Sequence, residues 1–321
     1  MIESKLIEQQ LNFTLKEIDL PNLGKKIPGK VRDSYVVGDK RVLITSDRIS
    51  AFDKILSTIP FKGQVLNQMA SYWFKETADI VPNHIIDIPH PNVFISKQVK
   101  IIPVEVVVRG YLAGSAWRDY QAGNPVSGIT LKQGLKKSQR FDTPIITPST
   151  KEEFGKHDMP ISTTDVVAKG IVDKAIWDKV CEYALALFNF GSKRANENGL
   201  ILVDTKYEFG VLKTPNGSLE IILADEIHTS DCSRYWMLDS YQECFNNGID
   251  PIMLDKEFVR RWLMERGYMG EGNAPEFTNE IRIETAEKYI QAYEKITGKN
   301  FTAKVGNIEA EIKELLKSFS E

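Results

Sequence analysis

The chain has 321 residues, which at roughly 150 residues per domain sets an expectation of about two domains and leaves ample length for a hydrophobic core without disulfide or metal staples. With 42% apolar and 26% charged residues it sits with globular rather than disordered chains, and 41 basic against 44 acidic residues, net −3, supply no overall attraction for nucleic acid or an anionic membrane. Phosphate chemistry therefore has to come from a local cluster of cations.

Leu6, Ile7, Leu11 and Phe13 recur at roughly helical spacing and predict a short amphipathic helix over 3–15. From Val31 the pattern changes: Val31, residues 35–37 and residues 41–45 read as strands joined at Gly38-Asp39-Lys40. Residues 64–76 read as helix and 85–108 as strand, with Pro103 marking a break before the apolar run 104–108. The stretch 123–163 is rich in Gly, Pro, Ser and Thr and reads as long loops with short elements; within it, Thr150 with Glu153 has the form of a capping box and predicts a helix start over 149–153. One amphipathic helix is expected over about 165–197, stopped at Asn198-Gly199. A second hairpin follows over 200–227, then helices near 255–266, 275–297 and 306–319. Two strand-bearing regions with appended helices predict an α+β, two-lobed architecture. The expected division is an N-terminal lobe over 1–102 carrying a glycine-containing hairpin, a central lobe over 103–254 carrying the second hairpin, and a C-terminal helical region over 255–321 packed on the core.

Several chemistries drop out early. Cys181, Cys232 and Cys244 are odd in number, widely spaced and contain no C-x-x-C pair, against a disulfide framework or structural zinc. The four histidines form no H-E-x-x-H pair and there is no G-x-S-x-G elbow. The start, MIESKLIEQQ, has no basic region followed by an apolar core and does not read as a signal peptide, and no run approaches the ~18–20 apolar residues that span a bilayer. A cytoplasmic location is the expectation.

Gly24-Lys-Lys-Ile-Pro-Gly29-Lys30-Val31 matches G-x-x-x-x-G-K, but Val31 stands where a Walker loop needs Ser or Thr, and a strand rather than a helix is expected next. Two readings remain for this segment: a glycine turn that lays backbone N–H groups over a nucleotide's phosphates, or an ordinary hairpin with exposed basic residues.

In Ile201-Leu-Val-Asp204-Thr-Lys206-Tyr-Glu208-Phe-Gly210, strand alternation puts Asp204, Lys206 and Glu208 on one face and Val203, Thr205, Tyr207 and Phe209 on the other. If Asn216-Gly217 centres the following turn, Glu208 lies directly opposite Asp225; a two- or four-residue loop keeps that pairing, whereas a three- or five-residue loop shifts it by one. Two facing carboxylates need a cation between them, and one or two carboxylates plus substrate phosphates are what Mg²⁺ takes. A solvated polar face, or neutralisation by Lys206 alone, stands as the alternative. Upstream, the run 104–108 delivers Arg109 at its end, Gly110 and Gly114 permit close backbone approach, and Ser115 is placed to cap the next helix. That suits a carboxylate or phosphate, with a structural salt bridge as the competing reading. Asp231-Cys-Ser233-Arg234-Tyr-Trp236 adds another Arg and hydroxyl near the acidic strands.

Taken together, the chain resembles the SAICAR synthetase family. The resemblance runs through Gly29-Lys-Val-Arg-Asp-Ser-Tyr35, Thr45-Ser-Asp-Arg-Ile-Ser-Ala-Phe-Asp53, Pro103-Val-Glu-Val-Val-Val-Arg-Gly-Tyr-Leu-Ala-Gly-Ser115, Ser149-Thr-Lys-Glu-Glu-Phe-Gly-Lys-His-Asp158, Asp204-Thr-Lys-Tyr-Glu-Phe-Gly210 and Ala224-Asp-Glu226 to Trp236. The length and the His157-Asp158 block are similar to the longer, fungal-type form; Cys232 and His228 are departures. The resemblance implies an ATP-dependent ligase joining L-aspartate to carboxyaminoimidazole ribonucleotide (CAIR), with Mg²⁺, in an ATP cleft between antiparallel-sheet lobes, and a monomer. It further implies that Gly29, Lys30, Val31, Arg32, Asp33 and Ser34 cover the ATP phosphates. Backbone around Ile101, with Glu105 nearby, would hold the adenosine, and Glu208 and Asp225 the metal. Arg109, Ser115, Lys206, Ser233 and Arg234 would bind the ribonucleotide, with Asp204 and Asp231 as orienters and Lys206 and Arg234 beside the reacting groups. Two other readings are a kinase-like phosphotransferase, which lacks an H-R-D-x-x-x-x-N loop here, and a same-fold ligase acting on another carboxylate.

Overall fold

The computed structural model describes residues 4–52, 54–151, 158–254 and 257–319. In chain order its elements are α1 (Ser4–Gln10), β1 (Arg32–Val37), β2 (Lys40–Thr45), β3 (Arg48–Ala51), β4 (Lys54–Thr58), α2 (Lys62–Glu76), β5 (Ile85–His90), β6 (Val93–Lys97), β7 (Lys100–Tyr111), α3 (Gly114–Gln121), β8 (Arg140–Ile146), β9 (Ser149–Thr150), α4 (Thr163–Ala168), α5 (Lys174–Glu197), β10 (Leu200–Lys213), β11 (Leu219–Ala224), β12 (Ser233–Met237), α6 (Leu238–Asn247), α7 (Glu257–Glu265), α8 (Asn279–Thr297) and α9 (Ile308–Leu315). Helices alongside antiparallel sheets make the fold α+β, as the patterning predicts.

The chain divides into two compact units. The first comprises Met1–Tyr72, His84–Gln98 and Asp255–Glu321; the second comprises Trp73–Asn83 and Val99–Leu254. The C-terminal helices thus group with the N-terminal strands. The reason is the core: Ile308, Ile312 and Leu316 pack with Tyr35, Val42 and Ile95 behind the sheet β1-β2-β6-β5. In that sheet Val37 pairs with Lys40, so Gly38 and Asp39 form a two-residue hairpin loop, with Gly38 at φ 59° where an L side chain is strained.

The second unit is built on the sheet β11-β10-β7-β8, with β12 pairing β10 and β9 pairing β7. Helix α5 covers its back: Trp177, Val180, Ala184, Leu187, Phe188 and Gly191 recur at three- and four-residue steps and are buried. Gly110 and Gly191 permit the contact, since a Cβ would lie 3.1 Å from Phe188 at the first and 2.3 Å from the His228 ring at the second.

Three local expectations change. Pro103 does not break the strand; it lies inside β7 at a shift in register between Glu208–Glu105 and Gly210–Ile101, where the ladder needs no N–H from it. The helix expected over 165–197 is two, α4 and α5, parted by a turn with Gly170 at φ 67°; the Ser162 and Asp173 side chains cap the two starts. Ser149 and Thr150 form strand β9 rather than a helix start, and the Thr150 hydroxyl accepts from the Met159 amide at 3.3 Å; Glu153 lies outside the described residues.

Candidate active site

Strand β10 runs through the middle of the second unit's sheet and organises its front face. Register sets Asp204 beside Arg109 of β7 and Arg234 of β12, and Glu208 beside Glu105 of β7. Asp204, Lys206 and Glu208 share that face, while Tyr207 and Phe209 are fully buried behind it. The alternation read from sequence holds from Asp204 to Phe209, but a bulge between Leu202 and Asp204 breaks it at Val203, which clusters with Ile201, Ala113 and Trp236 instead of joining Tyr207 and Phe209.

At one end of this face stands a cationic group. A single oxygen of Asp204, Oδ2, accepts from Arg109 Nη1 at 3.1 Å and from Arg234 Nη1 at 2.6 Å. Arg109 also donates from Nε to Thr147 Oγ1 at 2.8 Å and from Nη2 to Ser115 Oγ at 3.0 Å. The salt bridge foreseen as the alternative to an anion site is present, yet it leaves two positive charges against one negative. Arg109 spends three of a guanidinium's five N–H donors, and one donor on each terminal nitrogen remains. Ser115 is not a cap: α3 is preceded by Ala113, and the serine hydroxyl lies inside the first turn, facing Arg109. Gly114 is needed beside it, because a Cβ there would come 2.7 Å from Arg234 Nη1. Thr147 was not foreseen; nothing local in the sequence marks it, since the chain fold alone carries it to Arg109.

Two residues along β10 the charge reverses. Lys206 Nζ donates to Glu105 Oε1 at 2.8 Å and to Glu208 Oε1 at 2.6 Å, and Lys151 pairs with the other Glu208 oxygen. Burial works against the Lys206 charge, but Glu208, Glu105 and Asp225 outweigh it and hold the ammonium well above the usual lysine range. Burial likewise opposes ionised Glu208, and Lys206 and Lys151 overcome it, drawing its pKa down. Glu105 goes the other way: burial, with Glu208 and Asp158 nearby, raises it despite Lys206.

The predicted opposition of Glu208 and Asp225 is not what the hairpin makes. Lys213 pairs with Leu219, so the loop has five residues and Glu208 faces Ala224. Thr214 and Asn216 close that loop through side-chain bonds to Ser218, which a turn centred on Asn216-Gly217 alone does not foresee. Asp225 lies one residue past β11, in the left-handed region at φ 61°, and its charge bears on Lys206 by this route rather than across the ladder. The loop behind it is anchored by His228, whose Nε2 lies 2.5 Å from Tyr207 Oη and whose imidazole is kept neutral by burial, its pKa lowered to about 3.

The donors fit a magnesium ion: three carboxylates, all hard oxygen ligands, surround Lys206 and outnumber the two ammonium groups there. Among the described residues no group of three or more His, Cys, Asp or Glu forms a metal cage by itself, so phosphate oxygens would have to complete the shell. Beside the acids, Val99, Ile222 and Ala224 form an apolar cluster with Ile101 and Leu212 packed against it.

Other expected residues fall elsewhere. Ser233 pairs with Thr205, and their hydroxyls meet at 2.8 Å on the back of the sheet, so the Ser233 side chain is absent from the front face. The Asp231 amide donates to Thr229 Oγ1 at 3.3 Å within the loop before β12. In the first unit Lys30 is exposed and Val31 and Arg32 half-buried, and a strand does follow, as expected. Asp33 and Ser34 are buried: Asp33 forms a two-pronged ion pair with Arg48, and Ser34 exchanges backbone bonds with Ile27. The Asp33 carboxylate is thus turned to Arg48, and the Ser34 side chain, next along the strand, points to the opposite face.

Residues 25–275 match the family model described as SAICAR synthetase. The chain belongs to the SAICAR synthetase family. Members catalyse the ATP-dependent ligation of aspartate to CAIR in purine biosynthesis. The chain is 49% identical over 296 residues to the phosphoribosylaminoimidazole-succinocarboxamide synthase of Legionella pneumophila (strain Lens), covering 90% of this chain and 92% of that one. It is 44% identical over 313 residues to the synthase of Bacteroides fragilis (strain YCH46), covering 96% and 98%. Among solved structures it is similar to the Saccharomyces cerevisiae SAICAR synthase complexed with SAICAR, at 34% identity and TM-score 0.79 over 90% of this chain and all of that one. A type-2 SAICAR synthetase in complex with ADP aligns at 26% identity and TM-score 0.65, covering 87% and 100%. No helix among the described residues is long and apolar enough to cross a membrane.

Proposed function

We propose that the chain joins L-aspartate to the carboxylate of CAIR, consuming ATP and releasing ADP and phosphate. One observation carries the reading: a cationic cluster and an acidic cluster lie two residues apart on one strand, the first suited to an anionic substrate and the second to a metal-bound polyphosphate. A carboxylate does not react with an amine. A CAIR carboxylate oxygen therefore attacks the γ-phosphorus, ADP leaves, and an acyl phosphate forms. The aspartate amine then attacks the acyl carbon and phosphate departs with that oxygen.

Arg109 and Arg234, fixed by Asp204, bind the anionic groups of the ribonucleotide, with Ser115 and Thr147 holding the Arg109 plane. Lys206, kept charged by its acidic neighbours, stabilises the negative charge on the phosphoryl group in transit. Glu208 and Asp225, with Glu105 beside them, would hold Mg²⁺, which neutralises phosphate charge when bound. In the second unit the apolar cluster around Ala224 and Ile101 receives an adenine; in the first, the 29–31 turn with Lys30 covers phosphates. The same reading takes the protein to be a cytoplasmic monomer acting on small molecules; the SAICAR held by the similar yeast enzyme supports the small-molecule part. Phosphate release should require CAIR, aspartate, ATP and Mg²⁺ together; equal ATP turnover without CAIR or aspartate would refute the assignment.

A further inference from the structure

We propose that Arg48 is the positioning residue that shapes the 29–31 turn for a nucleotide's phosphates; the inference rests on the reading that this turn covers them. Arg48 is 5% exposed. Its guanidinium donates from Nη2 to the Gly29 carbonyl at 3.0 Å, from Nε to the Lys30 carbonyl at 3.1 Å and from Nη1 to the Lys16 carbonyl at 2.6 Å. It also grips Asp33 with Nη2 on Oδ1 at 2.8 Å and Nη1 on Oδ2 at 3.1 Å. All five N–H donors of the fork are thereby spent on the turn, its flanking strand and the segment beneath it. The next carbonyl, Val31, accepts from the Ser46 amide at 2.9 Å and the Ser46 hydroxyl at 2.6 Å.

Three successive carbonyls are thus drawn to one side. In a trans peptide the N–H lies opposite the preceding C=O, and no peptide bond among the described residues is cis. The N–H groups of Lys30, Val31 and Arg32 are therefore turned away from Arg48 and Ser46, which is the orientation an anion needs. Gly29 is held to the same shape, since a Cβ there would lie 2.4 Å from the Arg32 carbonyl oxygen. Asp33 serves the clamp by neutralising the buried guanidinium, and Arg48 in turn cancels an acid that would otherwise repel phosphate. Lysine cannot substitute, because one ammonium nitrogen cannot span Gly29, Lys30 and Asp33.

The test is steady-state kinetics on the full chain with Lys30→Met, Arg48→Lys and Asp33→Asn, varying each substrate in turn, together with amide exchange over 30–32. Lys30→Met tests the reading of the turn and should raise KM for ATP severalfold. Arg48→Lys should raise it roughly tenfold or more and Asp33→Asn severalfold, with KM for CAIR and aspartate within about twofold of wild type. Exchange at 30–32 should quicken in both clamp variants while the rest of the protein keeps its protection. Wild-type KM for ATP in Lys30→Met refutes the turn as a phosphate cover, and the inference with it. A raised value there, with Asp33→Asn and Arg48→Lys leaving KM for ATP unchanged or raising all three KM values alike, overturns the role of Arg48 alone. If Arg48→Lys fails to fold, Asp33→Asn, which keeps an oxygen acceptor in place, decides by the same criteria.

Discussion

Replacing Arg109 by lysine isolates what the guanidinium contributes beyond its charge. The wild-type side chain commits three donors to Asp204, Thr147 and Ser115 and keeps one on each terminal nitrogen. Two parallel donors match the two oxygens of a carboxylate or phosphate. Lysine retains a positive charge but cannot satisfy Thr147, Ser115 and Asp204 while offering a second donor to substrate. Losing one charge-assisted bond at about 1.5–3 kcal/mol corresponds to roughly 10- to 150-fold in kcat/KM for CAIR. Initial rates with CAIR varied at saturating ATP and aspartate measure it directly. An unchanged kcat/KM for CAIR, or a loss confined to ATP, would refute the placement of the ribonucleotide at this guanidinium.

Glu208→Gln removes the acid shared by Lys206 and Lys151; kcat should fall by roughly 100-fold or more, with the Mg²⁺ midpoint shifted upward in a metal titration, and wild-type values for both would exclude Glu208 as a metal carboxylate. His228 is neutral in the fold with a pKa of about 3 against about 6.5 unfolded, so between those values the unfolded chain binds more protons and stability falls as pH drops. From pH 7.5 to pH 5 the loss is about 2 kcal/mol in urea melts, and His228→Gln, which keeps an acceptor for Tyr207, should remove it; an identical pH slope in the variant would contradict the burial of an uncharged imidazole. Gly191→Ala forces a Cβ to 2.3 Å from the His228 ring and should cost about 1–3 kcal/mol, read as a lower Tm, whereas an unchanged Tm would show that α5 does not press on that loop.

Much of this was legible in the sequence because it depends on local period. The alternation of Asp204, Lys206 and Glu208, the Gly38-Asp39 hairpin and the stop at Asn198-Gly199 follow from two- and three-point-six-residue repeats and from turn chemistry. What failed depends on a single residue of register. Thr214 and Asn216 recruit Ser218 into a five-residue loop, and that shift moves Asp225 from the ladder to a left-handed corner beyond it. Pro103 misled for a related reason, since a bulge removes the need for its N–H. Thr147 on Arg109 and Arg48 on the glycine turn were invisible because each contact joins segments that only the folded chain brings together. Asp33 looked like a phosphate-site residue by its neighbours, and only its partner reveals that it points inward.

The central claim is that the CAIR carboxylate is phosphorylated before aspartate attacks it. CAIR carrying ¹⁸O in that carboxylate, incubated with ATP, aspartate and Mg²⁺, tests it most directly. One ¹⁸O atom is expected in each phosphate released and one retained in the new amide. Unlabelled phosphate, with both heavy atoms absent from it throughout turnover, would contradict the acyl phosphate and the roles assigned to Lys206 and its acidic neighbours.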